Sequence, residues 1–309
     1  MKILHLGLCA NGLDNLNGVQ KSLIKYSTEY RELATGDPDF NTKSVEMAEA
    51  MKPDIIFMQI QNATVITVDC AKKLKATGAW VCNWTGDVRS PLPQWYIDIG
   101  KVIDITLFTN LNDVTTMLEM GINADYLDIG FDPEVFFPDE RELKDFDISF
   151  LGNNYGVKFP LSEFRRGIAA HMEVAFGSNF HLYGNGWTNS RGSMNHSQEE
   201  EANFYRRNKI AINCSHFDYI RYSSDRMLRI MGCGVLCMTK WYPGLEADYE
   251  DGHNVVVWRT LSELEEKCKY YLYHEEERQK IAKEGWRHIN KIRTFDVMIE
   301  GLLEIYKKR

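Results

Sequence analysis

Residues 54–84 read DIIFMQIQNATVITVDCAKKLKATGAWVCNW, and the fold is decided there. DIIFMQI (54–60) and AWVCNW (79–84) are short, nearly continuous apolar runs of strand length, while the segment from Ala63 to Ala76 between them carries helical apolar spacing. Strands that are apolar on both faces and separated by helices form parallel sheets covered on both sides. Outward from this unit, KILHLGL (2–8), ITLFTN (105–110) and DYLDIG (125–130) add strands of the same kind, and VQKSLIKYSTEY after Gly18 reads as helical. The first 140 or so residues are therefore predicted to form a doubly wound α/β domain.

FDPEVFFPDERELKDF (131–146) is charged and carries prolines, which marks an interdomain linker. The alternation then restarts with ISFLG (148–152), a helix near 160–175, FHLYG (180–184), KIAINC (209–214), a helix from Asp225, GVLCMT (234–239) and NVVVW (254–258). Helices follow at 262–273, with Ser262 and Glu265 as a capping box, and at 275–290; FDVMIEGLLEIYKKR (295–309) forms a last amphipathic helix. A length of 309 residues suits two domains of about 150 each. The expected division is 1–140 and 145–292, with the helix at about 293–309 packing back on the first domain. Two such sheets facing one another would place a ligand cleft at the carboxyl ends of their strands.

Composition narrows the function. No window holds the roughly 20 uninterrupted apolar residues of a membrane span, and Met1–Leu6 leads into a strand pattern without a signal-peptide core, so a cytoplasmic protein is expected. Seven cysteines, an odd number spread over both halves, fit a reducing compartment. Cys233 and Cys237 lack a second pair at zinc spacing, the eight histidines form no two-His helical pair, and no metal site is expected. A net charge of −8 argues against broad nucleic-acid binding. Asp37-Pro38-Asp39 matches Asp-x-Asp, but in the turn-like stretch TGDPDFN it reads as a loop.

YIRYSSDRMLRIMGCGVLCMT (219–239) carries the strongest local signal. Ser223 or Ser224 can cap a helix starting at Asp225, and Gly232 and Gly234 end it before a strand. A helix start offers free N–H groups and a partial positive charge to a diphosphate, and a guanidinium adds bidentate contacts. Arg226 is thus the leading phosphate ligand, with Arg221 and Arg229 as helpers. In NWTGDVRSP (83–91), after a first-domain strand, Asp87 could accept the proton of an attacking hydroxyl, and Arg89 could pair with it or with phosphate; an Asx-turn before Pro91 is the competing reading. LCANGLDNLNGVQ (8–20) holds Gly12 and Gly18 at a spacing unlike Gly-x-Gly-x-x-Gly, which disfavours a dehydrogenase-type dinucleotide site.

DISFLGNNYG (147–156), HLYGNGW (181–187), SSDRMLRIMGCG (223–234) and the run from Pro243-Gly244-Leu245-Glu246 to Leu272 occur in an order and spacing that resembles the C-terminal half of the CgeB-like and group 1 glycosyltransferases. WTGDVR (84–89) and DIGFDPEVFFP (128–138) extend the likeness, which covers about two thirds of the chain. The resemblance implies the GT-B architecture, α/β with two Rossmann-like domains, and transfer of a sugar from a nucleotide-sugar donor, a UDP-sugar or GDP-sugar, to a hydroxyl acceptor. Retention of configuration is favoured over inversion, without being fixed by these motifs, and the arginine-rich helix start fits a metal-independent reaction without cofactor. Asp87 and Arg226 would be catalytic. Gly12, Gly152, Asn153, Lys158, Tyr183, Gly184, Arg221, Ser223, Ser224, Arg229 and Glu246 would join Arg226 around the donor. Retaining members often carry two glutamates where this chain has Arg221 and Arg229, so the ribose carboxylate must come from elsewhere, Glu246 being one choice. A nucleotide-sugar epimerase, a non-catalytic nucleotide-sugar sensor and a transferase acting on modified DNA bases are the alternatives.

Overall fold

The computed structural model describes residues 1–9, 16–193 and 197–309. The chain forms two compact units, Met1–Ile129 with Phe295–Arg309, and Gly130–Thr294. Residues 131–146, read from sequence as a linker, thus lie inside the second unit.

The first unit holds β1 (Lys2–Gly7), α1 (Gly18–Lys25), β2 (Glu29–Ala34), α2 (Phe40–Met51), β3 (Ile55–Met58), α3 (Val68–Ala76), β4 (Trp80–Thr85), α4 (Gln94–Gly100), β5 (Ile105–Phe108), α5 (Leu111–Glu119) and β6 (Ala124–Tyr126). Its strands are all parallel, in the order β2-β1-β3-β4-β5-β6. Ile55 and Phe57 of β3 point into one core layer and Ile56 and Met58 into the other, which is why the strand is apolar throughout. The helical reading of residues 19–30 is corrected: α1 stops at Lys25, and Glu29–Ala34 form an edge strand. An edge strand needs apolar cover on fewer sides, so EYRELA keeps its charges and hides its strand character.

The second unit holds β7 (Phe146–Leu151), α6 (Ser162–Phe176), β8 (Phe180–Tyr183), α7 (Gln198–Arg206), β9 (Asn208–Asn213), α8 (Asp225–Gly232), β10 (Leu236–Lys240), β11 (Val256–Trp258), α9 (Leu261–Tyr273) and α10 (Glu275–Ile292). Its parallel sheet runs β11-β10-β9-β7-β8. The chain starts this sheet at β7, adds β8 on one side, then crosses to β9 on the other. The order therefore reverses between β7 and β9, a topological switch point, where open parallel sheets leave a crevice beyond their strand ends. The capping box expected at Ser262 is instead a cap at Thr260, whose hydroxyl accepts from the Glu263 N–H.

The last helix, α11 (Phe295–Lys307), belongs to the first unit. Met298, Ile299 and Leu302 enter the core layer of Ile3, Phe57 and Leu107, each buried aliphatic side chain contributing about 1.5–3 kcal/mol. A Cβ at Gly18 would come 2.2 Å from the Phe295 ring, so the glycine opening α1 makes room for α11. Ser22 donates to Asp296 at 2.6 Å and Lys25 pairs with the same carboxylate. Both sheets with their helices bear out the α/β, GT-B architecture expected from sequence. Among the described residues no helix is long and apolar enough to cross a membrane.

Candidate functional site

At the carboxyl ends of β7 and β9 two arginines converge. Arg165 lies on α6, on the same face as Ile168, Ala169 and Met172, and is 1% exposed. Its guanidinium lies 4.9 Å from the Phe150 ring centroid, donates through Nη1 to the Cys214 carbonyl just past β9, and donates through Nη2 to the Asn153 carbonyl at 3.4 Å. Arg226, in the first turn of α8, reaches the same Cys214 carbonyl at 3.5 Å. Gly152, directly after β7, lies between them: a Cβ built there would fall 2.6 Å from Arg165 Nη2 and 3.0 Å from Arg226 Nη2. Gly152 also has a φ of +146°, so only glycine suits the position.

Among the described residues, no carboxylate pairs with Arg165 or Arg226. Burial, and then the charge of Arg226, pull the Arg165 pKa down to about 9, which still leaves it cationic at neutral pH. Beside them, burial followed by the charges of Arg165 and Arg226 lowers His216 to about 3, so its imidazole is neutral. Arg165 Nε, His216 Nδ1 and Ser223 Oγ are buried without a hydrogen-bond partner among the described residues. Two like charges held together beside unsatisfied polar atoms could accept an anion, which would satisfy the arginines and relieve their repulsion.

The neighbouring glycines shape the loops around this point. A Cβ at Gly184, after β8, would lie 2.3 Å from the Gly152 carbonyl oxygen, and one at Gly186 would lie 2.4 Å from that of Asn154. The Gly152 carbonyl accepts the Trp187 indole N–H at 2.7 Å, and Asn153 Oδ1 accepts the Asn185 N–H at 2.8 Å, which ties the two loops together. Tyr183 packs its ring on Phe204, 4.8 Å between centroids. Lys158 stands over the rings of Tyr155 and Phe159, and these border His216.

The remaining candidates of α8 and its approaches are otherwise engaged. Ser224 occupies the cap position but turns its hydroxyl to Asn213 Oδ1 at 2.9 Å, so no side chain caps through a serine as expected; Asp225 accepts the Arg226 N–H instead. Arg221 sits at φ +56° and makes a two-point pair with Asp248, at 3.0 and 2.7 Å. Arg229 pairs with Glu201 of α7 at 2.5 Å and with Asp225 at 2.8 Å. Glu246 is exposed and accepts the Trp241 indole N–H at 2.6 Å.

In the first unit, Asp87 follows β4 with its side chain 74% exposed, and Arg89 stands 3.9 Å from it. Arg89 is committed elsewhere, donating to Gln61 and to Thr85 Oγ1, while its backbone N–H donates to Asp113. Gly12 lies outside the described residues. Asp37 accepts from Lys43 at 2.9 Å and from the Asp39 N–H at 2.8 Å, which fits the loop reading of the Asp-x-Asp. One trio among the described residues, His5, Cys9 and Glu32, brings potential metal-ligand atoms within 4.8 Å of one another. The Tyr30 hydroxyl already bridges it, 2.9 Å from His5 Nδ1 and 2.5 Å from Glu32. Burial lowers His5 to about 4 and raises the Cys9 thiol to about 12, and Tyr30 links the partly buried trio by hydrogen bonds.

Arg165 and His216 escaped the sequence reading. The signal for Arg165 was present: an arginine standing on the apolar stripe of its own helix must be satisfied by something other than water.

Residues 164–304 match the family described as glycosyl transferase-like. No curated protein sequence matches the chain. Among solved structures, the chain is similar to sucrose-phosphate synthase from Thermosynechococcus elongatus, with 10% identity, a TM-score of 0.67, and 100% of this chain and 99% of that one covered. It is also similar to HepE from Anabaena in complex with UDP and glucose, with 11% identity, a TM-score of 0.64 and 100% of both chains covered. The lipopolysaccharide outer core galactosyltransferase WaaB shares 11% identity at a TM-score of 0.60, with both chains fully covered. The chain thus has the fold of the GT-B glycosyltransferase superfamily, as its motifs implied.

Proposed function

We propose that this chain transfers a sugar from a nucleoside-diphosphate donor, UDP-linked or GDP-linked, to a hydroxyl acceptor, and that it does so without a metal. The observation that carries this reading is the pair of guanidinium groups over Gly152, unneutralised by any described carboxylate, at the switch point of the second sheet. As the bond to the sugar breaks, charge grows on the leaving diphosphate. Two fixed cations and the positive end of α8 stabilise that charge with little reorganisation. Arg226 is the leaving-group ligand and Arg165 its buried support; Gly152, Asn153 and Gly184 shape the loop floor. Asp87 is assigned to the acceptor hydroxyl as base or orienting group. The Anabaena structures with UDP, UDP and glucose, and UDP-glucose support a uridine donor. The seven free cysteines, six of them buried, fit a cytoplasmic setting.

A thermal-shift series with UDP, GDP, ADP and CMP, alone and sugar-linked, tests this reading, because a ligand that binds only the native state raises the melting point. A shift with UDP or GDP and slow hydrolysis of the matching nucleotide-sugar are expected. Absence of any nucleotide effect at millimolar ligand overturns the proposal.

A further inference from the structure

The second unit holds a cavity at the opposite end of its strands. Its floor is formed where β9 and β10 begin, at Asn208 and Leu236, so it lies at the amino ends of the strands whose carboxyl ends approach Arg226. The cavity measures about 460 Å³, within the range of small-molecule sites. Trp286, Leu236, Ala282 and Pro138 give it an apolar wall.

Its polar lining is unbalanced. Lys144, Lys209, Arg278 and Lys283 contribute four cations against Asp139 and Glu140. Asp139 is neutralised by Arg141 at 2.7 Å and Lys209 by Asp147 at 2.6 Å, which leaves Lys144, Arg278 and Lys283 facing Glu140. Arg278 is 5% exposed; it pairs with the exposed Glu275 carboxylate at 3.5 Å and donates through Nη1 to the Tyr271 carbonyl at 2.9 Å. Lys144 Nζ has a carbonyl partner, that of Arg206, at 2.5 Å. Lys283 is exposed on the cavity wall and forms no ion pair among the described residues. Asn208, fully buried, gives its amide N–H to the Phe204 carbonyl at 2.6 Å, which fixes the amide orientation and leaves its Oδ1 without a partner.

We propose that this cavity binds a small amphipathic anion, with its carboxylate or phosphate toward Arg278 and Lys283 and its apolar body against Trp286 and Leu236. The ligand is distinct from the sugar donor, because the donor's arginines lie past the other ends of the same strands. An excess of cations in the lining, one of them buried, favours an anion, and the apolar wall favours one with a hydrophobic body over inorganic phosphate. A hydroxyl or amine on that body would also satisfy Asn208 Oδ1.

Titration of the full chain with the fluorescent anion 8-anilinonaphthalene-1-sulfonate tests the proposal, with UDP affinity measured by calorimetry in parallel. Saturable binding of one equivalent is expected. Lys283→Glu should weaken it roughly tenfold or more, as expected for loss of a charge-assisted contact. Gln279→Trp, on the exposed mouth of the cavity, should abolish it. Phenylacetate and phenyl phosphate should displace the probe, and the stronger competitor identifies the anionic group. Fluorescence that never saturates, or equal affinity in all three proteins, overturns the proposal. Loss of UDP binding would speak against the transferase reading alone, because the cavity does not contain Arg226.

Discussion

Arg226→Met separates a functional arginine from a structural one. In the protein as it stands, Arg165 Nη2 and Arg226 Nη2 lie 2.6 and 3.0 Å from one point above Gly152, so they are no more than 5.6 Å apart. At an effective dielectric constant near 20, two unit charges at that distance repel by about 3 kcal/mol. Water reaches Arg226, which is only half-buried, and reduces this to about 1–2 kcal/mol. Methionine keeps the aliphatic stem and removes the charge, so the variant should be more stable than the wild type by that amount. For a unit of this size, that corresponds to a melting point higher by roughly 2–8 °C. The same change removes charge-assisted hydrogen bonds to a diphosphate, each worth about 1.5–3 kcal/mol, so UDP affinity should fall roughly 10- to 150-fold. Turnover should fall further, since charge on the leaving group peaks in the transition state. Calorimetric titration with UDP and differential scanning calorimetry of the ligand-free protein read both arms. A variant that is less stable yet binds UDP normally would show that Arg226 serves the fold and would refute the anion site.

Three further outcomes follow from named groups. Asp87→Asn should reduce turnover by about two to four orders of magnitude, the range of general-base contributions, while leaving donor affinity within about twofold; equal losses in both would remove its assignment to the acceptor. EDTA should leave activity largely unchanged, because the arginine pair supplies the charge stabilisation and Asp37 is bound to Lys43; a strict Mg²⁺ or Mn²⁺ requirement in the transferase assay would contradict this. Burial lowers His5 to about 4 in the folded protein, against about 6.5 unfolded, so below pH 6.5 the unfolded chain takes up a proton that the folded one refuses. Stability should therefore drop as pH falls from 6.5 toward 4, by about 2 kcal/mol at pH 5, and His5→Gln should remove that part of the slope in urea denaturation series.

The parallel sheets were legible because their central strands are apolar on both faces, as Ile55–Met58 and Ile210–Ile212 show. The strand at Glu29–Ala34 was not, because it lies at an edge with its side chains half in water, and α7 was hidden in a strongly acidic run, Gln198–Arg206. The helix that carries Arg226 was legible from local rules alone, since a serine-rich start, a basic first turn and a terminating glycine all fall within a dozen residues. Its partner was not, because Arg165 is 61 residues away in sequence and only the crossing from β7 to β9 brings the two together. Sequence proximity grouped Arg221 and Arg229 with Arg226, and it could not show that Asp248 and Glu201, from other segments, pair with them.

That distribution of partners is itself an argument for the site. The chain carries 44 acidic and 36 basic side chains, so a carboxylate is easier to find than a cation. Around α8 the acids are used in full: Asp248 holds Arg221 and Arg293, and Glu201 and Asp225 hold Arg229. Asp225 is adjacent to Arg226 in the chain, yet its carboxylate turns to Arg229 and to the Arg226 backbone N–H, not to the Arg226 guanidinium. Leaving Arg165 and Arg226 bare in these surroundings costs stability, and burying a cation beside another without compensation raises that cost. Under the proposed function, the pair stays open for a charge that arrives from outside. The proposed diphosphate, with its negative charge spread over several oxygens, could accept from both guanidinium groups at once, which a single carboxylate side chain does less well.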